Sequence, residues 1–298
     1  MKVNKNPHAG LKGAHRDFVK LVHDMVRAGG RNHREVFSDF LELAFCAIAK
    51  TTRDPESEAA TKLEERYMRI AGNRPRAYIA EMPKLLGLLQ EGLFDEPCDF
   101  LGRVAGELGA LSEGLGQFFT PFELSLMMAE MTLGGVAEII RERGYFTIDE
   151  PACGAGGMLL AAADVVQRQG FDPSICMLAR ATDLSGTAFQ MAYLQLSLRG
   201  LSADVIHGNT LTLETFGSEI TPGKLRFVQH HRALRMLQGV RAAVDQLERS
   251  DEPARAPEDE PVEVPAPTAG KRNRRRKVQQ VEMVFGEPDA ARRSKAHG

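Results

Sequence analysis

The sequence predicts an α/β protein in which an N-terminal helical domain precedes a Rossmann-like domain with an incomplete sheet. Apolar residues recur at helical spacing through the first third of the chain. Strand and helix patterns then alternate between residues 145 and 206, and a glycine-rich turn follows the first strand. Alternation of this kind places parallel strands in one sheet, with a ligand at their carboxyl ends.

The first two segments of the chain are a lead-in and a helical domain. Residues 1–15 are polar and predict a flexible lead-in. Residues 16–115 predict the helical domain, with the clearest periodicity over Asn32–Lys50. The segments Glu56–Gly72 and Tyr78–Gly92 show the same spacing, so each of them predicts a helix.

Residues 116–220 predict the Rossmann-like core. It begins with a helix from about Phe122 to Leu133, because Pro121 fits the first turn of a helix. The elements after it alternate and are strand 145–149, helix 157–169, strand 175–182, helix 186–199 and strand 203–206. The segment Thr210–Pro222 has no clear pattern, and residues 221–249 predict a C-terminal helix.

Residues 250–298 form a tail dominated by proline, alanine and charge. Such a composition cannot bury enough apolar surface to offset its ordering entropy, so it predicts disorder. A basic cluster at 271–277 follows an acidic block at 251–263. This cluster either contacts DNA phosphates or is a solvated segment that pairs with the acidic block.

Composition excludes several classes of function. The formal net charge of −2 gives no global attraction to nucleic acid, so any DNA contact must be local. The four cysteines show no pair at metal-ligand spacing, and we predict no metal site. No apolar run is long enough for a membrane span, and the start lacks a signal-peptide pattern. We therefore expect a cytoplasmic protein without membrane contact.

The segment Asp149–Met158 carries the clearest chemical signal. It reads Asp-Glu-Pro-Ala-Cys-Gly-Ala-Gly-Gly-Met, and its glycines let the backbone bend and approach a ligand closely. An acid at a strand end suits a ligand with hydroxyl or ammonium groups, whereas a pyrophosphate needs undisturbed backbone N–H groups. The turn therefore favours S-adenosylmethionine over NAD or ATP. The alternative is a glycine-rich turn that binds no ligand.

Two further strand ends carry polar residues. Asp183 is either an acceptor for ribose hydroxyls or the N-cap of the next helix. Asn209 either contacts an adenine edge or forms an ordinary Asx turn. Because three consecutive strand ends deliver polar groups to one crevice, their joint pattern favours a binding site.

Four motifs together resemble a known family. They are Gly116-Gln117-Phe118-Phe119-Thr120-Pro121, Glu150-Pro151-Ala152-Cys153-Gly154-Ala155-Gly156-Gly157, Thr182-Asp183 and His207-Gly208-Asn209-Thr210-Leu211. In this order they resemble adenine-specific DNA methyltransferases, and most closely the modification subunits of type I restriction-modification systems. Those subunits also carry a helical domain before the catalytic one. The resemblance implies methylation of the exocyclic amino group of adenine with S-adenosylmethionine as cofactor.

The resemblance also implies which residues bind the cofactor. They lie in the four motifs or, for Asp149, directly before the second one, and are Gln117, Phe118, Thr120, Pro121, Asp149, Glu150, Ala152, Gly154, Gly156, Asp183 and Asn209. The Thr120 hydroxyl matches the position near the methionine carboxylate. Asp149 and Glu150 compete for one role beneath the methionine moiety. Asp183 matches the ribose-binding acid, and Asn209 stands where the family usually has Asp.

One motif of the family is absent from this chain. The family places an Asn-Pro-Pro-Phe or Asn-Pro-Pro-Tyr box after its fourth strand, and no Asn-Pro pair follows Asn209. That box orients the amino group of a flipped adenine and stacks on its ring. We therefore identify no catalytic residue, and expect a specificity subunit or other partner for DNA recognition. The alternative is a catalytically inactive cofactor-binding homologue that acts as a regulatory or interaction module.

The same gap affects the sheet. In this class of methyltransferase the fourth strand lies beside the first, and no Val/Ile-rich run follows Leu211. The first strand is therefore predicted to have an unpaired edge, which folded proteins usually cover. Three outcomes are open: the helix Lys224–Arg249 covers the edge, a partner chain covers it, or the chain is a shortened derivative of a longer enzyme.

Overall fold

The computed structural model describes residues 13–29, 31–110 and 120–250, with the backbone alone for 244–250. Gln117 and Phe118 of the first motif lie outside the described residues, as does the tail from residue 251 with its basic cluster. The first described helix begins at Gly13, within the predicted lead-in.

The N-terminal part of the structure is a layer of helices, as predicted. They are α1 (Gly13–Gly29), α2 (His33–Lys50), α3 (Glu58–Ala71), α4 (Arg76–Ile79), α5 (Met82–Asp95) and α6 (Phe100–Glu107). A capping box starts α2, in which the Asn32 side chain accepts a hydrogen bond from the Glu35 N–H and Glu35 accepts one from the Asn32 N–H. The single helix predicted over Tyr78–Gly92 is instead two, because Pro83 lies in the first turn of α5 and has no N–H for a continuing helix.

The second part of the chain contains the sheet. Its elements are α7 (Phe122–Thr132), α8 (Val136–Arg143), β1 (Phe146–Glu150), α9 (Gly157–Arg168), α10 (Pro173–Cys176), β2 (Met177–Asp183), α11 (Gly186–Leu198), β3 (Ser202–Asn209), β4 (Glu214–Ile220) and α12 (Pro222–Ser250). The predicted strands and helices of this part are confirmed to within a few residues at their ends. The sequence did not predict α8, α10 and β4.

The strand order is β1-β2-β3-β4. Parallel pairing joins β1 to β2 and β2 to β3, in a register that aligns Ile148 with Ala179 and Ala181 with Val205. In contrast, β4 pairs antiparallel to β3 through a short hairpin. The sequence has no Val/Ile-rich run after Leu211 that predicts this strand, and among the described residues no strand forms beside β1. Most side chains of β4 are exposed, so the strand needs no Val/Ile-rich run.

One hydrophobic core joins the helical layer to the sheet. On the sheet side, α11 packs against β2 and β3, whose small buried residues Ala179 and Ala203 allow close approach. On its other side α11 packs against α2, where the rings of Tyr193 and Phe45 lie 5.0 Å apart between centroids. The helical layer therefore supports the helix that covers the sheet.

The predicted unpaired edge of β1 is confirmed within the described residues, where β1 pairs with β2 alone. Near this strand, α12 contacts the residue that precedes it, with the Tyr145 ring 5.4 Å from Phe227 and 5.0 Å from His231. Beyond those contacts α12 exposes apolar side chains. The helix α7 likewise exposes an apolar stripe at helical spacing, made of Leu124, Met127, Met128 and Met131. In the described part of the chain, no helix is long and apolar enough to span a membrane.

The hairpin before β4 contains a strained residue and yields a stability prediction. Leu213 has a φ of 61° and is 85% exposed, so its side chain gains little packing to offset the left-handed backbone. We expect Leu213→Gly to raise the free energy of unfolding by about 1 kcal/mol in urea denaturation. The matched control is Leu211→Gly, which removes another highly exposed leucine and should give no gain. A loss of stability in Leu213→Gly would contradict the prediction.

Candidate cofactor-binding site

The glycine-rich turn joins β1 to α9 at the carboxyl edge of the sheet. Gly154 and Gly156 have φ of 54° and 91°, values that side chains with a Cβ rarely adopt. A Cβ at Gly156 would lie 3.4 Å from the Ala192 Cα, an ordinary contact distance, so the backbone conformation and not the space favours glycine there. The Cys153 N–H donates to the Thr182 carbonyl at 2.9 Å and fixes the turn to the end of β2.

Asp183 organises this turn. Its Oδ2 accepts a hydrogen bond from the Gly154 N–H and its Oδ1 one from the Ser185 N–H, both at 2.8 Å. The N-cap of α11 is Ser185, whose side chain accepts from the Ala188 N–H, so the N-cap alternative for Asp183 is wrong. An ionised carboxylate has about four acceptor positions, so both oxygens of Asp183 retain capacity for ligand hydroxyls.

The two competing acids at the end of β1 lie in different surroundings. The Asp149 carboxylate lies 3.8 Å from the Arg180 guanidinium on an exposed part of the sheet. The Glu150 carboxylate turns toward the glycine-rich turn and accepts from the Ala152 N–H at 3.4 Å. The geometry therefore favours Glu150 over Asp149 as the acid of the turn.

Asn209 adopts the simpler of its two predicted roles. Its Oδ1 accepts from the Leu211 and Thr212 N–H groups at 3.0 and 3.3 Å, which is an Asx turn. Next to it, the Thr210 hydroxyl donates to the Pro151 carbonyl at 2.6 Å, so the end of β3 is joined to the glycine-rich turn. The adenine contact of Asn209 stays a prediction, and its Nδ2 is the group left for it.

Thr120 and Pro121 lie at the start of α7, where Pro121 is the N-cap position. Thr120 lines a cavity of about 70 Å³ together with Asp99, Ser125, Ala152, Cys153, Gly157 and Met158. Larger cavities of about 420 and 630 Å³ lie in the helical layer along α1, away from the strand ends. Chemistry and not size therefore identifies the site, because Ala152, Cys153 and Gly157 of the glycine-rich turn line the small cavity.

The sequence analysis missed a buried link between the helical layer and the turn. Gln195 donates to the Asp99 Oδ1 at 2.8 Å and to the Ala155 carbonyl at 2.7 Å, and accepts from the Leu101 N–H at 3.0 Å. The sequence signal that could have predicted this link is the amide side chain of Gln195 within the largely apolar stretch Met191–Leu198 of α11. Burial raises the pKa of the Asp99 carboxyl, while the hydrogen bonds from Gln195 and the Gly102 N–H oppose that change.

The cysteine of the turn has a structural role. Cys153 is buried, and burial raises the pKa of its thiol well above the usual range, with Asp183 and Glu150 adding to the increase. The thiol therefore stays protonated and is a poor nucleophile. Among the described residues, no group of three His, Cys, Asp or Glu side chains is arranged to hold a metal ion.

Comparison with protein families identifies the segment that contains this site. Residues 100–228 match the family model described as N-6 DNA methylase. The N-6 DNA methylase match confirms the resemblance drawn from the motifs, and it implies S-adenosylmethionine as the cofactor. It runs from α6 into α12 and includes the described cofactor-binding candidates from Thr120 to Asn209, and Asp99 lies one position before it.

A solved structure also shows similarity. It is described as a class I S-adenosylmethionine-dependent methyltransferase from Listeria monocytogenes, with 14% identity and a TM-score of 0.31. The alignment covers 64% of this chain and 51% of that chain, so this chain spans about half the length of that protein. No curated protein matches the chain. At this TM-score the likeness supports no assignment. The assignment of the cofactor rests on the N-6 DNA methylase match and on the geometry of the site.

The described residues fit S-adenosylmethionine. The turn has positive φ at Gly154 and Gly156, which favours glycine at both positions, and Asp183 offers carboxylate acceptors beside it. In the adjoining cavity the Ser125 hydroxyl is fully buried and has no hydrogen-bond partner among the described residues. A buried hydroxyl without a partner costs free energy, which a polar ligand group would recover.

Proposed function

We propose that this chain is an S-adenosylmethionine-dependent DNA methyltransferase that acts on the exocyclic amino group of adenine in a restriction-modification system. One observation carries the proposal. The ends of β1, β2 and β3 are joined around a glycine-rich turn inside the segment that matches N-6 DNA methylases. This arrangement is typical of a parallel sheet that binds a nucleoside ligand.

Each strand end has a proposed role in binding. Asp183 accepts hydrogen bonds from the ribose hydroxyls while it holds the Gly154 N–H. Glu150 and the glycine-rich turn lie beneath the methionine moiety, and the Asn209 Nδ2 donates to the adenine ring. The cofactor supplies a methyl group activated on a sulfonium, and these residues fix its position at the edge of the sheet.

The groups that orient the target adenine are proposed to come from a second chain. The adenine amino nitrogen is a poor nucleophile, because its lone pair is delocalised into the ring. Hydrogen-bond acceptors must therefore bind the amino protons and orient the nitrogen toward the methyl group. This chain has no Asn-Pro pair after Asn209, and the position beside β1 is open within the described residues. We propose that a partner supplies those acceptors and that a specificity subunit recognises the DNA sequence.

The charge of the chain agrees with DNA recognition by a separate subunit. A formal net charge of −2 gives this chain little general affinity for DNA. The basic cluster at 271–277 is the segment we propose for phosphate contacts, which would make binding strongly dependent on salt. We propose the cytoplasm as the compartment, where DNA and S-adenosylmethionine are both present.

A second function is supported by the sheet itself. The strand β4 pairs antiparallel with β3 on the side away from β2. Within the described residues, the position beside β1 therefore lacks the expected fourth strand. Together with the absent Asn-Pro pair, this arrangement favours a catalytically inactive module that binds the cofactor and regulates a methylation complex.

Transfer of a labelled methyl group to unmethylated DNA separates the two functions. The full chain is assayed alone and with candidate modification and specificity subunits from the same genome. Methylation of adenine that requires this chain supports the enzyme. Cofactor binding without transfer in each combination, combined with a change in a partner's methylation rate, supports the regulatory module.

A further inference from the structure

The small cavity beside the glycine-rich turn contains two polar side chains that the motifs do not include. Asp99 stands at the N-cap of α6 and Ser125 lies in the first turn of α7. They are 5% and 0% exposed, and both line the cavity with the start of α9. Each belongs to a different helix, so the cavity is built by tertiary packing and not by one local motif.

The two oxygens of Asp99 have different surroundings. Oδ1 accepts from the Gly102 N–H at 2.9 Å and from Gln195 at 2.8 Å. Both of these donors reach Oδ1, and Oδ2 is the Asp99 atom nearest to the start of α9. A carboxylate has about four acceptor positions, so Asp99 on the cavity wall retains capacity for a proton-bearing or positively charged ligand group.

The position of Asp99 also restricts the charge of that ligand. A Cβ built on Gly157, the first residue of α9, would lie 3.3 Å from the Asp99 Oδ2. The carboxylate therefore lies at the positive end of the α9 dipole, the place where a phosphate would otherwise bind. A pyrophosphate would meet a negative charge there, whereas an ammonium group would be attracted.

The size and the remaining walls of the cavity indicate the rest of the ligand. A volume of about 70 Å³ is too small for a ribose or a purine. The amino-acid end of S-adenosylmethionine is a small fragment whose ammonium group suits the Asp99 carboxylate. The Ser125 hydroxyl, which has no partner within the described residues, is a ready donor to a carboxylate.

We propose that Asp99 binds the α-ammonium group of the cofactor and that Ser125 donates to its α-carboxylate. This inference rests on the proposed cofactor site and adds to it two residues from outside the glycine-rich turn. The helical layer thereby contributes directly to ligand selection, because the loop before α6 provides the residue that distinguishes a zwitterion from a phosphate.

The test compares four forms of the full chain by isothermal titration calorimetry. Asp99→Asn keeps the shape of the side chain and an oxygen for the Gly102 N–H, but removes the charge. Ser125→Ala removes the hydroxyl without a partner. Asp164→Asn is the matched control, since Asp164 is another buried acid, on α9, that pairs with Arg168. Thermal unfolding of each variant confirms that it is folded.

Three ligands separate the roles. They are S-adenosylmethionine, its decarboxylated analogue and 5′-methylthioadenosine, which has the same nucleoside and sulfur but no amino-acid end. Asp99→Asn is expected to weaken binding of the first two by about 10-fold or more and to leave that of 5′-methylthioadenosine within about 2-fold. Ser125→Ala is expected to weaken S-adenosylmethionine alone. The control should change none of them.

Other results would overturn the inference. Equal losses for the three ligands in Asp99→Asn would mean that Asp99 only shapes the turn. Unchanged affinities in a folded Asp99→Asn chain would remove its role, although the proposed cofactor site would stand. If the unmodified chain binds none of the three ligands, the proposed function itself fails, and the inference fails with it.

Discussion

Asp183→Asn is expected to weaken binding of S-adenosylmethionine by about 100-fold in calorimetry. The carboxylate accepts from the Gly154 and Ser185 N–H groups at once, and its further acceptor capacity is what two ribose hydroxyls need. An amide keeps one oxygen but places an NH₂ group where the second acceptor stood. Loss of charge-assisted hydrogen bonds at about 1.5 to 3 kcal/mol each gives a change of this size.

The matched control for this variant is Asp149→Asn, at the end of the neighbouring strand. Asp149 is exposed and lies beside Arg180, and a surface ion pair of this kind contributes about 0 to 1 kcal/mol. Its affinity for the cofactor should therefore change by less than about 2-fold. A large loss in Asp149→Asn together with a small one in Asp183→Asn would show that β1 and not β2 carries the decisive acid.

Gln195→Leu is expected to lower the free energy of unfolding by about 3 to 5 kcal/mol. The substitution keeps the approximate volume of the side chain but leaves the Leu101 N–H, the Ala155 carbonyl and the Asp99 carboxylate without their partner. Each unsatisfied buried group costs about 1 to 3 kcal/mol. Urea denaturation followed by far-UV circular dichroism measures the change.

Gln190→Leu, in the same helix, is the control for that measurement. Gln190 is half-buried and donates to Glu42, which Arg66 also holds through bonds of 2.8 and 3.0 Å. Loss of the Gln190 hydrogen bond leaves Glu42 with a charged partner, so we expect the free energy of unfolding to fall by about 1 kcal/mol or less. Equal losses of unfolding free energy in the two variants would show that the Gln195 hydrogen bonds stabilise the fold no more than one ordinary hydrogen bond does.

The parallel part of the sheet was predictable because β2 and β3 carry buried apolar residues. Met177, Ala179 and Ala181 are buried in β2 and Ala203 and Val205 in β3, and glycine or an acid marks where these strands end. The strand β4 has the opposite character, because an antiparallel edge strand with exposed side chains leaves no apolar pattern. Its formation depends on pairing with β3, which is tertiary information.

The site divides in the same way. Glu150 could be found because it adjoins the glycine-rich turn in sequence, and Asp183 because it follows the next predicted strand. Asp99 and Gln195 could not be connected from sequence, because 96 positions separate them and each has an ordinary local interpretation. Asp99 precedes a helix as N-cap residues commonly do, and only packing places it against the turn.

The unpaired edge of β1 has a thermodynamic consequence. Glu150 is both the last residue of that strand and part of the turn where the cofactor is proposed to bind. A chain that paired with the edge would order the same residues that the cofactor orders. Linkage then requires the partner and the cofactor to change each other's affinity by the same factor. The cofactor affinity, measured with and without a partner, would therefore also report the strength of their coupling.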